Sequence, residues 1–135
     1  MIFAFLRQTP VYDKVITNEY IGGLYNGYVA FDDKLPLSIQ GSLKLDEDLL
    51  YDDSLDNLVN VHGGITFDTT IFPSKLNMLP ITAIPDPETW ADGIRCIGFD
   101  TLHYRDTKKE WDYDGVKDET IKLYKQILNL IKNEK

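Results

Sequence analysis

The sequence predicts a small α+β domain, with a mostly antiparallel sheet packed against one long C-terminal helix. Three observations carry that expectation. Short β-favouring apolar runs at residues 2–6, 28–31, 58–62 and 94–99 are set apart by Gly, Pro, Asn and Asp. The C-terminal stretch instead repeats its apolar residues at spacings of three and four. The length, 135 residues, is that of one domain (1–135), enough to bury about two-thirds of the unfolded chain's surface.

Taken in order, residues 2–6 (Ile-Phe-Ala-Phe-Leu) have strand length. Residues 20–31 read as strand, turn, strand, with Ile21 and Leu24 flanking Gly22-Gly23 and with Asn26-Gly27, the pair favoured in tight hairpins. Pro36, Gly41 and an acidic run then mark a long polar connection. Leu58-Val59-Asn60-Val61-His62 alternates loosely and reads as a strand. Gly63-Gly64 interrupts it, as a bulge or a close approach of another group to the backbone would require, and Ile65-Thr66-Phe67 resumes it. Residues 70–92 hold Pro73, Pro80, Pro85 and Pro87 and read as a surface loop with short extended pieces. Residues 94–99 form the clearest central strand. In the final helix Asp114 is the expected cap, and Val116, Thr120, Leu123, Tyr124, Ile127, Leu128 and Ile131 share one face.

The net charge is −8, from 14 basic and 22 acidic side chains, and six of the acids (Asp46, Glu47, Asp48, Asp52, Asp53, Asp56) fall within one short stretch. A negative surface disfavours direct binding of nucleic acid or anionic membrane and suits a cationic protein partner. The single cysteine, Cys96, excludes an intramolecular disulfide, and its apolar setting predicts a buried, inert thiol. No apolar stretch has the length of a membrane span and no signal-peptide pattern is present, so a cytoplasmic protein is expected.

Chemistry concentrates around the two histidines. His62 precedes Gly63-Gly64 and Thr66, where unobstructed backbone N–H groups could form an anion-binding concavity. The alternative is a kink in which the glycines supply positive φ. Asp100, His103 and Asp106 are spaced by three, which brings them to one side if the chain bends after Phe99. An acid beside a histidine orients the ring, as a general base or a metal ligand needs. A metal held by His62, His103, Asp100 and Asp106 is conceivable, but without a His-x-His pair or cysteine ligands none is assigned. Glycine-rich phosphate loops, nucleophile elbows and zinc-protease helices are absent, and the sequence names no cofactor.

Together, Asn26-Gly27-Tyr28-Val29, Val61-His62-Gly63-Gly64-Ile65-Thr66-Phe67, and Ile97-Gly98-Phe99-Asp100 followed by His103 and Asp106 resemble a family of small uncharacterised proteins of tailed bacteriophages and prophages. The resemblance runs in order over residues 25–130. The family pattern, Gly-Phe-Asp-x-x-His-x-Gly-Asp, has glycine where Arg105 stands here, which adds a bulky cation beside the motif. The resemblance implies a phage context, in which small acidic proteins outside the virion act by binding and include proteins that counter host defence.

The leading expectation is therefore a binding protein, sequestering a nucleotide-like ligand or blocking a host protein. Its site comprises His62, Gly63, Gly64, Thr66, Asp100, His103, Arg105 and Asp106, with Tyr28, Tyr25 or Trp90 available to stack. The alternatives are a metal- or histidine-dependent hydrolase of the phosphodiesterase kind, and a structural or assembly protein. Homo-oligomerisation is left open.

Overall fold

The computed structural model describes residues 2–10, 22–32, 59–69, 78–86, 94–103 and 106–132. Among these, β1 (Ile2–Gln8), β2 (Tyr25–Asp32), β3 (Phe67–Thr69), β4 (Leu79–Pro80) and β5 (Ile94–Phe99) form one sheet, and α1 (Tyr113–Lys132) covers it. The strand order is β3-β5-β2-β1-β4 with every pairing antiparallel, giving the α+β architecture expected. The acidic run 46–56, Pro36, Gly41 and Trp90 lie outside the described residues.

Strand alternation divides the core into two layers. Ala4, Leu6, Tyr25, Val29, Phe31, Ile97 and Phe99 face α1, where they meet Val116, Leu123 and Ile127. Phe3, Phe5, Ala30, Ile94 and Cys96 face the other way and pack with Tyr28, Phe67, Met78 and Ile84. All six residues of β5 are buried, which is why its sequence reads as a nearly unbroken apolar run. The exception, Arg95, lies on the α1 side. Its guanidinium donates to both carboxylate oxygens of Asp68, at 2.9 and 2.6 Å, the bidentate geometry a buried arginine requires. Cys96 is free and buried, and burial pushes its thiol up to about 12.

The helix cap lies two residues before the expected one. Asp112, not Asp114, accepts the Gly115 N–H at 2.9 Å, while Asp114 sits in the first turn and Lys132 in the last, where each complements the dipole. Trp111 before the cap and Val116 one turn on are both buried in the same cluster, the arrangement of a hydrophobic staple. Val116, Thr120, Leu123 and Ile127 form the buried face. The three aliphatic side chains contribute about 1.5–3 kcal/mol each.

Two sequence expectations are corrected. Asn26-Gly27 is no hairpin turn but lies inside β2, because the Asn26 side chain is used to hold the loop after β5 and Gly27 makes room for α1. The described part of 58–62 is not a strand either. Val59 and Val61 are buried against the core, but the backbone of Asn60 pairs with a side chain: its N–H donates to Gln126 Oε1 at 2.6 Å, and Gln126 Nε2 donates to its carbonyl at 2.8 Å. A glutamine on the helix replaces a neighbouring strand. Gln126→Ala is expected to cost about 1 kcal/mol and to accelerate amide exchange at Asn60 well beyond that at β2 amides.

The loop expectation for 70–92 fits its described part. β4 has two residues and sits at the edge of the sheet, where Pro80 is tolerated, and the Ala4 N–H donates to Thr82 Oγ1 at 3.0 Å just beyond it. No helix among the described residues is long and apolar enough to cross a membrane.

Candidate functional site

The segment Gly22-Gly23-Leu24 frames the site. Its three N–H groups donate to the carbonyls of Asp106 (2.9 Å), Thr101 (2.7 Å) and Trp111 (2.8 Å). Thr101 is held further by its hydroxyl on the Tyr25 carbonyl at 2.7 Å and by its N–H on Asn26 Oδ1 at 3.0 Å. The chain bends directly after β5, as the spacing of Asp100, His103 and Asp106 required, and Asp106 N–H donates to the His103 carbonyl at 2.9 Å.

On this frame the two histidines meet. Asp106, 4% exposed, is the centre. His62 Nε2 lies 2.9 and 3.1 Å from its two oxygens. His103 approaches the same carboxylate twice, through Nδ1 at 3.0 Å and its backbone N–H at 3.0 Å. The Nε2 of His103 stands 3.1 Å from Asp100 Oδ1, so the whole series spaced by three is engaged. The imidazole centroids of His62 and His103 are 5.1 Å apart and nearly perpendicular.

Gly63 and Gly64 make this possible. They form a turn rather than a strand bulge, with φ of 70° and 80°. A Cβ on Gly63 would collide with the His103 ring, so the close approach anticipated at this motif is that of an imidazole to the backbone. The Gly64 N–H donates to the Val61 carbonyl at 2.9 Å, which removes one donor from the anticipated anion concavity. Thr66 is exposed, and its N–H donates to the Gly98 carbonyl.

Not every expected residue joins the cluster. Tyr28 lies on the opposite face of the sheet, its ring stacked 5.1 Å from Phe5 and edge-on to Phe67 at 5.5 Å. Tyr25 meets the Tyr113 ring edge-on. Arg105 lies outside the described residues. The aromatic that does stack is Trp111, whose ring is centred 4.1 Å from that of His62. Its position just before the helix cap was the available signal, since that site turns an aromatic toward the core at the helix entry. The Trp111 Nε1 is buried with no hydrogen-bond partner among the described residues.

Electrostatically, burial pushes the Asp106 carboxyl up. Hydrogen bonds from His62, the His103 backbone and the His103 ring outweigh it and hold the group below its ordinary value. The ionised carboxylate only accepts, so His62 Nε2 carries the proton between them and Nδ1 presents the lone pair of the neutral ring. His103 can donate to Asp100 and Asp106 together only as the imidazolium. One ligand atom from each of His62, His103 and Asp106 falls within 4.8 Å of the others, close enough to share an ion.

No protein family matches this chain, and no curated protein or solved structure is significantly similar to it.

Proposed function

We propose that this protein acts by binding, as a phage-type accessory protein that sequesters a nucleotide-like ligand at the His62–Asp106–His103 cluster. One observation carries the reading. Two imidazoles from turns far apart in sequence are fixed on one buried carboxylate, yet their side chains keep 26% and 35% exposure. A purely internal latch needs no such exposure. The cluster offers an incoming ligand a preorganised pair of ring edges beside an indole. A role against host defence follows from the phage resemblance, by analogy of context.

The test is calorimetric titration and thermal shift with a panel of mono-, di- and cyclic nucleotides. A saturable signal in the wild type that is lost in His62→Ala, with an unchanged circular dichroism spectrum, is the expected outcome. A wild type indifferent to every nucleotide overturns the small-ligand reading and leaves a host protein as the partner to be sought.

A second reading rests on the Asp106–His62 pair, in which the carboxylate orients a ring whose other nitrogen holds a lone pair, as a general base requires. The chain's one thiol, Cys96, is buried on the far face of the sheet and supplies no nucleophile there. Turnover of a bound phosphodiester by the wild type, absent in His62→Ala, would favour this hydrolytic reading.

A further inference from the structure

We propose that His62, His103 and Asp106 form a site for a borderline divalent cation of the zinc class. We further infer that this cation is the contact through which an acid-lined cluster takes an anionic ligand; this second half rests on the binding reading above, and the first half does not.

The argument begins with donor chemistry. Two imidazoles and one carboxylate are a ligand set for zinc, cobalt or nickel, and a poor one for calcium or magnesium, which prefer all-oxygen shells. The distances agree. Tetrahedral ligands about 2.0–2.1 Å from zinc lie ~3.3 Å from one another. Asp106 already stands 2.9 Å from His62 Nε2 and 3.0 Å from His103 Nδ1, and all three donor atoms fall within 4.8 Å, so small ring rotations complete the set.

The supporting contacts are also those a metal-bound histidine uses. With His103 Nδ1 turned to the ion, its Nε2–H points to Asp100 Oδ1 at 3.1 Å, a carboxylate that fixes the ring and strengthens it as a ligand. The His103 backbone N–H holds Asp106 Oδ2 at 3.0 Å, and Trp111 packs on His62. Gly63 lets the His103 ring lie against the backbone. To take the ion each ring presents an unprotonated nitrogen: an imidazolium gives one proton to solvent, whereas a neutral ring moves its proton from the coordinating nitrogen to the other one. Three protein ligands leave a position open, where a phosphate or carboxylate oxygen can coordinate. A cation there also reverses the local charge of Asp100 and Asp106, which otherwise repel an anion.

The experiment titrates chelator-treated full-length protein with Co²⁺ alone, then with Zn²⁺ in competition, reading visible d–d absorption and thermal midpoint. One equivalent of Co²⁺ with the intense bands of low coordination number, displaced by Zn²⁺ and not by Mg²⁺ or Ca²⁺, is expected. Asp100→Asn, which leaves all three ligands in place, should weaken Co²⁺ by about 10–100-fold. His62→Ala and His103→Ala should abolish stoichiometric uptake. A wild type that takes up no stoichiometric Co²⁺ or Zn²⁺ at micromolar metal overturns the site without need of any variant. So does uptake that both histidine variants retain. Nucleotide titrations with and without metal then separate the two halves. Equal nucleotide binding in chelator refutes the bridging cation and leaves the binding reading standing, whereas metal uptake with no nucleotide response leaves the metal site standing and overturns the nucleotide reading together with the bridging role that rests on it.

Discussion

Asp106→Ala is expected to lower the stability of the metal-free protein by about 2–4 kcal/mol, the largest effect of any single polar truncation at the cluster. The carboxylate accepts from His62 Nε2, His103 Nδ1 and the His103 backbone N–H, and it is almost fully buried. A hydrogen bond to a charged group contributes about 1.5–3 kcal/mol. Three would sum to more, but the two rings are partly exposed and water re-solvates them when Asp106 is lost, which lowers the figure. The measurement is urea unfolding, with the midpoint falling and the slope unchanged. A loss below about 0.5 kcal/mol would show that the loop carrying Asp106 is held by Gly22–Leu24 and Thr101 alone.

The same carboxylate gives that comparison a pH signature. Its folded-state pKa lies below the ordinary value, despite the opposing push of burial, because His62 and His103 donate to the ionised form. A depressed carboxylate contributes stability that is fully present above the unfolded-state value of about 3.9, and loses it as pH falls through the folded-state value. The stability difference between wild type and Asp106→Asn should thus narrow below about pH 4. A difference that persists unchanged in acid would mean that the shape of the side chain, not its charge, is what the histidines use.

How much of this was legible in the sequence depends on the range over which each signal acts. The helix was readable because its buried residues recur locally, at Val116, Thr120, Leu123 and Ile127. β1 and β5 were readable because both are apolar runs buried on two faces. The Asp100–His103–Asp106 series was readable because one bend brings a spacing of three together. The pairing of His62 with Asp106 was not, since it joins residues 44 positions apart. Sequence could say that both histidines sit in Gly and Asp settings, but not that Gly63 is a glycine on account of His103. Trp111 was missed because its contact with His62 depends on how the helix entry packs, and Tyr28 was misplaced because strand parity sends it to the far face. Val59 and Val61 alternate as a strand does, yet Asn60 finds its partner in Gln126, a contact that no local pattern announces.

Gly27 shows most sharply how a local rule is overridden, and Gly27→Ala is the second large effect expected. In an open strand position, alanine in place of glycine stabilises by about 0.5–1 kcal/mol, through the lower entropy of the unfolded chain. Here a Cβ would collide with Thr120 Oγ1 and with the Phe99 ring. Neither wall yields cheaply. Thr120 is fully buried on α1 with its hydroxyl donating to the Val116 carbonyl at 2.7 Å, and Phe99 is 1% exposed. Overpacking a tight core costs about 1–3 kcal/mol, and with two rigid neighbours the net effect should be a destabilisation of roughly 3 kcal/mol, opposite in sign to the open-strand case. The cause is separable. In a Thr120→Ala background the Gly27→Ala penalty should shrink by about 1 kcal/mol or more, because the helix-side obstruction is gone, while the Phe99 ring keeps the remainder. Urea unfolding of the four proteins of the cycle measures this. A neutral or stabilising Gly27→Ala would mean that α1 does not approach β2 this closely, and the Asn26-Gly27 pair would then have to be explained as something other than a loop anchor beside a helix seat.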